Sequence, residues 1–251
     1  MEIIEALIAG AFIGGVLGFV GAGGAMLSVP MLIYIFHFTP VHASTAALAI
    51  VFMAAAAGSI PKFRERNVLI REALIIWFLG LATNLGGSIL SRHLSDVQIK
   101  TGFAIVLITA ASSMLIRPPE GDEKKIPLAI LVLVALTIGL MTGVFGVGGG
   151  FLAIPVLILF FRTPQNKAVG TSLVIMSINS LTAFLAHQSL WHEINWSIPI
   201  AMAIAAVVIA TASSHKSSFV SAVVLRKAFA ILLYAIALFT LFQTYFLASS
   251  S

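Results

Sequence analysis

Gly146-Val147-Gly148-Gly149-Gly150 and, 125 residues earlier, Gly21-Ala22-Gly23-Gly24 interrupt two long apolar stretches of this chain. Each knot is followed at the same offset by a proline, Pro155 and Pro30. Glycine permits backbone conformations and close approaches that other residues resist. Glycine-rich breaks at matching positions in two halves of an apolar chain are the best sequence pointer to a transport site in a membrane.

The surrounding composition fits a membrane. Of 251 residues, 60% are hydrophobic and 9% charged, and the mean hydropathy is +1.10. A water-soluble fold of this size has no room to hide that much apolar surface. Apolar runs of spanning length recur throughout, so an all-α polytopic membrane protein is expected, with the first run, from Ile3, retained as a helix. The runs do not alternate as barrel strands would. There is no cysteine, which removes disulfides and thiolate chemistry. The formal net charge of +5 reads as basic membrane loops, not as a nucleic-acid surface.

Ten apolar segments are expected, at roughly 3–20, 21–36, 41–61, 72–91, 101–116, 127–145, 146–161, 168–186, 196–213 and 228–247. Residues 14–48 align without a gap with residues 139–173, and twelve of these 35 positions are identical. The match returns with one residue inserted where Lys100–Ile105 meets Arg226–Ile231. This is an internal repeat. It divides the chain into residues 1–118, a cytoplasmic linker 119–126, and residues 127–251. Twelve of the 14 Lys and Arg residues fall in 62–71, 117–125, 162–167 and 216–227. If all of these are cytoplasmic, 127–161 must enter and return as a hairpin tipped by Gly146–Gly150. Its counterpart 3–36 is tipped by Gly21–Gly24. Each half is then a hairpin plus three crossings. Three is odd, so the second half is inverted relative to the first.

The chemistry-bearing candidates follow from the knots. A second hairpin arm begins directly after each, so free N–H groups and the helix dipole point at Gly21, Gly23 and Gly24 and at Gly146, Gly148, Gly149 and Gly150. Two such tips meeting near the midplane would make a positively polarised pocket without Lys or Arg. The alternative is a set of tight turns and close helix packing. Ser44, Thr45, Thr171 and Ser172 open the segment after each hairpin, as anion ligands or as helix caps. Asn84 and Asn179 lie inside apolar segments and must find partners or a wet cavity. His187, His192 and Glu193 stand with Trp191 and Trp196, as an interfacial loop or a proton relay. No Asp, Glu, Lys or Arg occupies the middle of a segment, unlike a cation pump. No hydrolase or metal-ligand spacing is present, so neither enzymatic activity, nor a cofactor, nor a metal is expected.

Gly139-x3-Gly143-x2-Gly146-Val147-Gly148-Gly149-Gly150-Phe151-Leu152-x2-Pro155, followed by Ala168–Leu173, resembles the TauE/SafE sulfite exporter family. His187-x8-Trp196 resembles that family's His…Asp-Trp segment, with Asn195 where Asp is usual. The resemblance implies transport of a small sulfur-containing or organic anion such as sulfite, thiosulfate or a sulfonate, across a prokaryotic plasma membrane. The expected partners are that anion and the bilayer; association into a homo-oligomer is left open. The rival readings are an anion channel and a membrane assembly factor without transport.

Overall fold

The computed structural model describes residues 1–20, 23–115, 128–159, 162–216 and 222–247. Ten α-helices run through them: α1 (Glu2–Val20), α2 (Gly23–Tyr34), α3 (Pro40–Arg64), α4 (Ile70–Leu90), α5 (Asp96–Leu115), α6 (Leu128–Phe145), α7 (Gly150–Leu159), α8 (Gln165–Ala186), α9 (Ser197–Lys216) and α10 (Ala222–Phe242). A 3-10 turn, Gln188–Glu193, links α8 to α9. Each of the ten expected segments is helical over most of its described residues. Helices α1, α3, α4, α8 and α9 are long and apolar enough to cross a bilayer. The outward faces carry large apolar side chains such as Ile8, Phe78, Leu133, Val208, Ile231 and Leu238. That is the surface a lipid-facing bundle presents, where water would penalise it. The linker 119–126 lies outside the described residues.

The hairpins are unequal. The first arms α1 and α6 have 19 and 18 residues. At about 1.5 Å per residue they extend roughly 27–28 Å, nearly a hydrocarbon core. The second arms α2 and α7 have 12 and 10 residues, only about 15–18 Å of helix. They are too short to return across the core.

Helices α3 and α8 form the centre and run antiparallel. At one end Thr45 Oγ1 lies 2.7 Å from His187 Nδ1. At the other, the Leu69 N–H donates to Thr171 Oγ1 at 2.9 Å. Thr39 caps the start of α3, with Pro40 following it; proline's missing N–H costs nothing in the first turn. α3 runs three residues beyond the expected end, to Arg64, and takes Lys62 into the protein, only 2% exposed. Its ammonium reaches Glu65 at 3.3 Å. Lysine favours the negative end of the helix dipole.

Each hairpin packs on the other half of the chain. Gly10, Gly14 and Gly18 of α1 face the backbone of Met202, Ala206 and Ala210 on α9, and a Cβ at any of them would collide with it. Gly139 and Gly143 of α6 face Gly80 and Asn84 of α4 in the same way. Small residues let membrane helices approach to backbone contact, where dispersion replaces the missing hydrophobic drive. The matches follow the repeat. Gly14 meets Ala206 where Gly139 meets Gly80, and Gly18 meets Ala210 where Gly143 meets Asn84. Helices α5 and α10 pair antiparallel at the flank, through Ser112 with Tyr234 at 2.7 Å and Thr101 with Tyr245 at 2.9 Å.

Candidate functional site

The turn between α6 and α7 holds three glycines in left-handed backbone: Gly146 at φ 70°, Gly148 at φ 68° and Gly149 at φ 67°. An L side chain in that region costs roughly 1–2 kcal/mol per residue. Space excludes it as well. A Cβ at Gly146 would stand 2.8 Å from Ser44 Cα. At Gly148 it would stand 2.8 Å from Ser180 Oγ and 2.9 Å from Val51 Cγ1. The turn is therefore pressed against α3 on one side and α8 on the other. Gly150 begins α7 beside Met176 and the Ser172 carbonyl.

The turn's hydrogen bonding is incomplete. The Gly146 N–H donates to Thr142 O at 3.0 Å, and the Leu152 N–H to Gly149 O at 3.2 Å. Among the described residues, the N–H groups of Val147, Gly148 and Gly149 have no hydrogen-bond partner, though all three residues are buried. The side chains around them repeat the pattern. Ser44 Oγ, Ser180 Oγ, Asn179 Nδ2, Asn84 Oδ1 and His187 Nε2 are buried without partners. Unpartnered buried polar groups are costly and uncommon; Tyr34 Oη, Thr240 Oγ1 and Gln243 Oε1 are a separate group on α2 and at the end of α10, while these five lie on the helices around the turn. Most are donors, and they meet the positive end of α7. The group is suited to an anion and carries no cationic side chain.

His187 stands at the base of this group, fully buried just past the end of α8. The single hydroxyl proton of Thr45 is directed to Val41 O at 2.9 Å. With that proton toward Val41 O, the 2.7 Å contact to His187 makes Nδ1 the donor and Nε2 the nitrogen that carries the lone pair. Burial lowers the ring's pKa to about 4, helped by the charge of Arg92, while the Gly143 carbonyl acts to favour the proton. Arg92 itself donates to Ala186 O at 2.6 Å. Farther out, His42 Nε2 pairs with Glu193 at 3.0 Å. Trp191 stacks on Phe184 with ring centroids 4.5 Å apart, and Trp196 donates to Trp191 O at 2.9 Å. The aromatic members of this loop are thus structural.

The other candidates are distributed differently. Gly23 opens α2, and Gly24 is pressed against Ile13 and Leu17 of α1. Gly149 has the same relation to Ile138 and Thr142, the equivalent positions of the repeat. Gly21 lies outside the described residues. Among the described residues, no extensive helix packing joins the first hairpin to the second. The first tip lies toward Gly58 and Ser213, where Leu17 touches Gly58 and Gly18 meets Ser213. The second lies against Ser44 and Val51, along the first half of α3. Thr171 is occupied by Leu69 and by Lys167 O, to which it donates at 2.7 Å. It fastens the α3–α4 loop to α8. Asn84 donates to Asn179 O at 3.0 Å, which brings both amides to the second tip. Ser180 was not among the sequence candidates. Its signal, one hydroxyl within an apolar helix, is shared by every serine used as helix-to-helix glue.

A sequence model of the family described as Sulfite exporter TauE/SafE matches residues 6–240. The chain is 25% identical over 254 residues to a "Probable membrane transporter protein" of Xylella fastidiosa, covering 97% of each chain. It is 22% identical over 229 residues to the "Probable membrane transporter protein YunE" of Bacillus subtilis, covering 80% of this chain and 84% of that one. A transporter-named protein of Methanocaldococcus jannaschii is 34% identical over 118 residues, 45% of this chain and 44% of that one. No solved structure is significantly similar.

Proposed function

The chain belongs to the sulfite exporter TauE/SafE family, and we propose that it is a secondary transporter of a small sulfur-containing or related organic anion in a prokaryotic inner membrane. The observation that carries the proposal is the set of N–H groups of Val147, Gly148 and Gly149 that have no partner among the described residues, ringed by the unpartnered Ser44 Oγ, Ser180 Oγ and Asn179 Nδ2. An oxyanion accepts several hydrogen bonds at once, and bonds to a charged group are worth about 1.5–3 kcal/mol each. Thr45, Gly146, Gly150 and the Ser172 backbone shape the same pocket. Gly23 and Gly24 belong to the equivalent tip, to which the repeat also assigns Gly21 in the sequence. Thr171 is assigned to packing.

The two halves, 1–118 and 127–251, are proposed to be inverted repeats that rock about the α3–α8 pair. Support comes from the antiparallel course of α3 and α8, which occupy equivalent places in the repeat. It comes also from the matched contacts of Gly14 and Gly139 across the halves. Inverted repeats of this kind give alternating access around a central site.

The test is a thermal-shift screen of purified protein against thiosulfate, sulfite, sulfate, sulfoacetate and taurine, followed by counterflow in proteoliposomes. Binding to the native state stabilises it in proportion to RT ln(1 + [L]/Kd). The expected result is stabilisation by at least one anion and saturable, trans-stimulated uptake of it. Unsaturable flux without trans-stimulation would identify a channel instead. No stabilisation and no flux with any of these anions would favour an assembly role and overturn the reading.

A further inference from the structure

Every candidate ligand in the anion pocket is neutral, so a bound anion would stand uncompensated in a buried site. One group beside the pocket can supply the missing charge. His187 presents a bare Nε2 that is buried and unpartnered, while its Nδ1 is held by Thr45. Thr45 adjoins Ser44, whose backbone lies against Gly146. Gly143, whose carbonyl acts on the ring, is one helical turn before Gly146. The imidazole thus sits between the start of α3 and the last turn of α6, at the foot of the glycine turn.

We infer that His187 is a proton-binding site coupled to the anion site, so that anion and proton are taken up together and released together. The inference rests on the anion-site reading given above. An anion near the ring favours the imidazolium, and an imidazolium favours the anion; the two effects are equal by linkage. In the step itself, Nε2 accepts a proton from the aqueous phase to which the pocket is open, and the N–H so formed has the Gly143 carbonyl available as acceptor. When the pocket opens to the other side, anion and proton leave, and Nε2 regains its lone pair. The charge imported per cycle is then one less negative than the anion carries.

The charged surroundings are consistent with this assignment. Arg92 at the end of α4 acts on the ring and opposes protonation in the empty pocket. Its neighbour His93 is exposed. On α3, His42 is paired with Glu193 of the 3-10 turn, which also carries exposed His192. α6 brings no titratable side chain. Near the glycine turn His187 is therefore the one buried group among those described that can change charge in the physiological range. With the empty-pocket value about 4, an adjacent anion raises it by about 1–3 units.

The probe is thiosulfate, which stays fully ionised from pH 5 to 8, so any pH dependence belongs to the protein. Calorimetric titration in two buffers of different ionisation enthalpy counts the protons taken up per anion bound. Wild-type protein should take up protons on binding at acidic pH, and its affinity should fall by up to about tenfold per pH unit as pH rises through the coupled range. His187→Gln keeps a neutral hydrogen-bonding side chain and should bind thiosulfate with no pH dependence and no proton uptake. Arg92→Gln removes the opposing charge and should move the coupled range to higher pH, which a merely structural His187 does not permit. Binding by wild type that is pH-independent and releases or takes up no proton overturns the coupling and leaves the anion site standing. Persistence of the pH dependence in His187→Gln also overturns it. Absence of thiosulfate binding at every pH, with binding of no other anion, overturns both.

Discussion

Ser180→Ala separates a binding hydroxyl from a structural one, because the two assignments differ in sign. A buried serine that holds helices together loses stability when truncated, as its partner is left unsatisfied. Ser180 Oγ is fully buried, has no partner, and lies 2.8 Å from where a Cβ would project from Gly148. The unfilled requirement of such a group costs about 1–3 kcal/mol. Removing the hydroxyl relieves that cost and deletes little volume, so the ligand-free protein should become more stable by about 1 kcal/mol. Binding should move the other way. A hydroxyl bonded to a charged ligand contributes about 1.5–3 kcal/mol, and its loss should weaken the anion by roughly ten- to a hundredfold. The assay is thermal unfolding in detergent across a thiosulfate series, so that intercept and ligand dependence are read from one data set. A melting temperature that falls in the absence of ligand, with unchanged thiosulfate dependence, would refute the reasoning and return Ser180 to helix packing.

Three further outcomes are expected. Gly143→Leu should destabilise the protein with or without anion, because its Cβ meets the Asn84 backbone; Gly86→Ala on α4, where nothing lies within 4 Å, should be neutral or gain up to about 1 kcal/mol of helix propensity, and the pair is compared by unfolding in detergent. A single cysteine at Ser95 should be labelled from outside intact cells and one at Asn67 should not, since the native chain has no cysteine and Lys and Arg mark the inner loops. Stability should fall as pH drops from about 6.5 toward 4: the pKa of His187 is lowered to about 4 by burial and Arg92, so the unfolded chain binds a proton there that the folded one refuses. The loss should be on the order of 3 kcal/mol, should level off below the folded value, and should be missing in His187→Gln when both are followed by denaturant unfolding.

The glycine pattern made much of the fold legible. Gly14 and Gly139, or Gly24 and Gly149, recur at one spacing because each answers a close contact that leaves no room for a Cβ. Steric demands of that kind admit a single residue type and therefore persist in the sequence. The apolar runs likewise placed all ten helices, since a lipid environment leaves the backbone almost no other choice.

Which helix receives each glycine stripe was decided only in three dimensions. Nothing in α1 says that it packs on α9 and not on another helix of its own half, for the stripe is written in small residues that fit any smooth partner. The candidate site divides in the same way. Thr171 and Ser44 looked alike, as hydroxyls opening equivalent helices. Thr171 is bonded to Leu69 across the bundle and Ser44 to nothing. Ser180 and His187 gain their interest from what they lack, and a missing partner is a property of the neighbours. The sequence by itself determined a duplicated, glycine-tipped helical membrane protein, because composition and steric exclusion are carried residue by residue. The tertiary structure alone decided which polar groups remain unsatisfied, because hydrogen-bond satisfaction depends on distances between residues far apart in the chain.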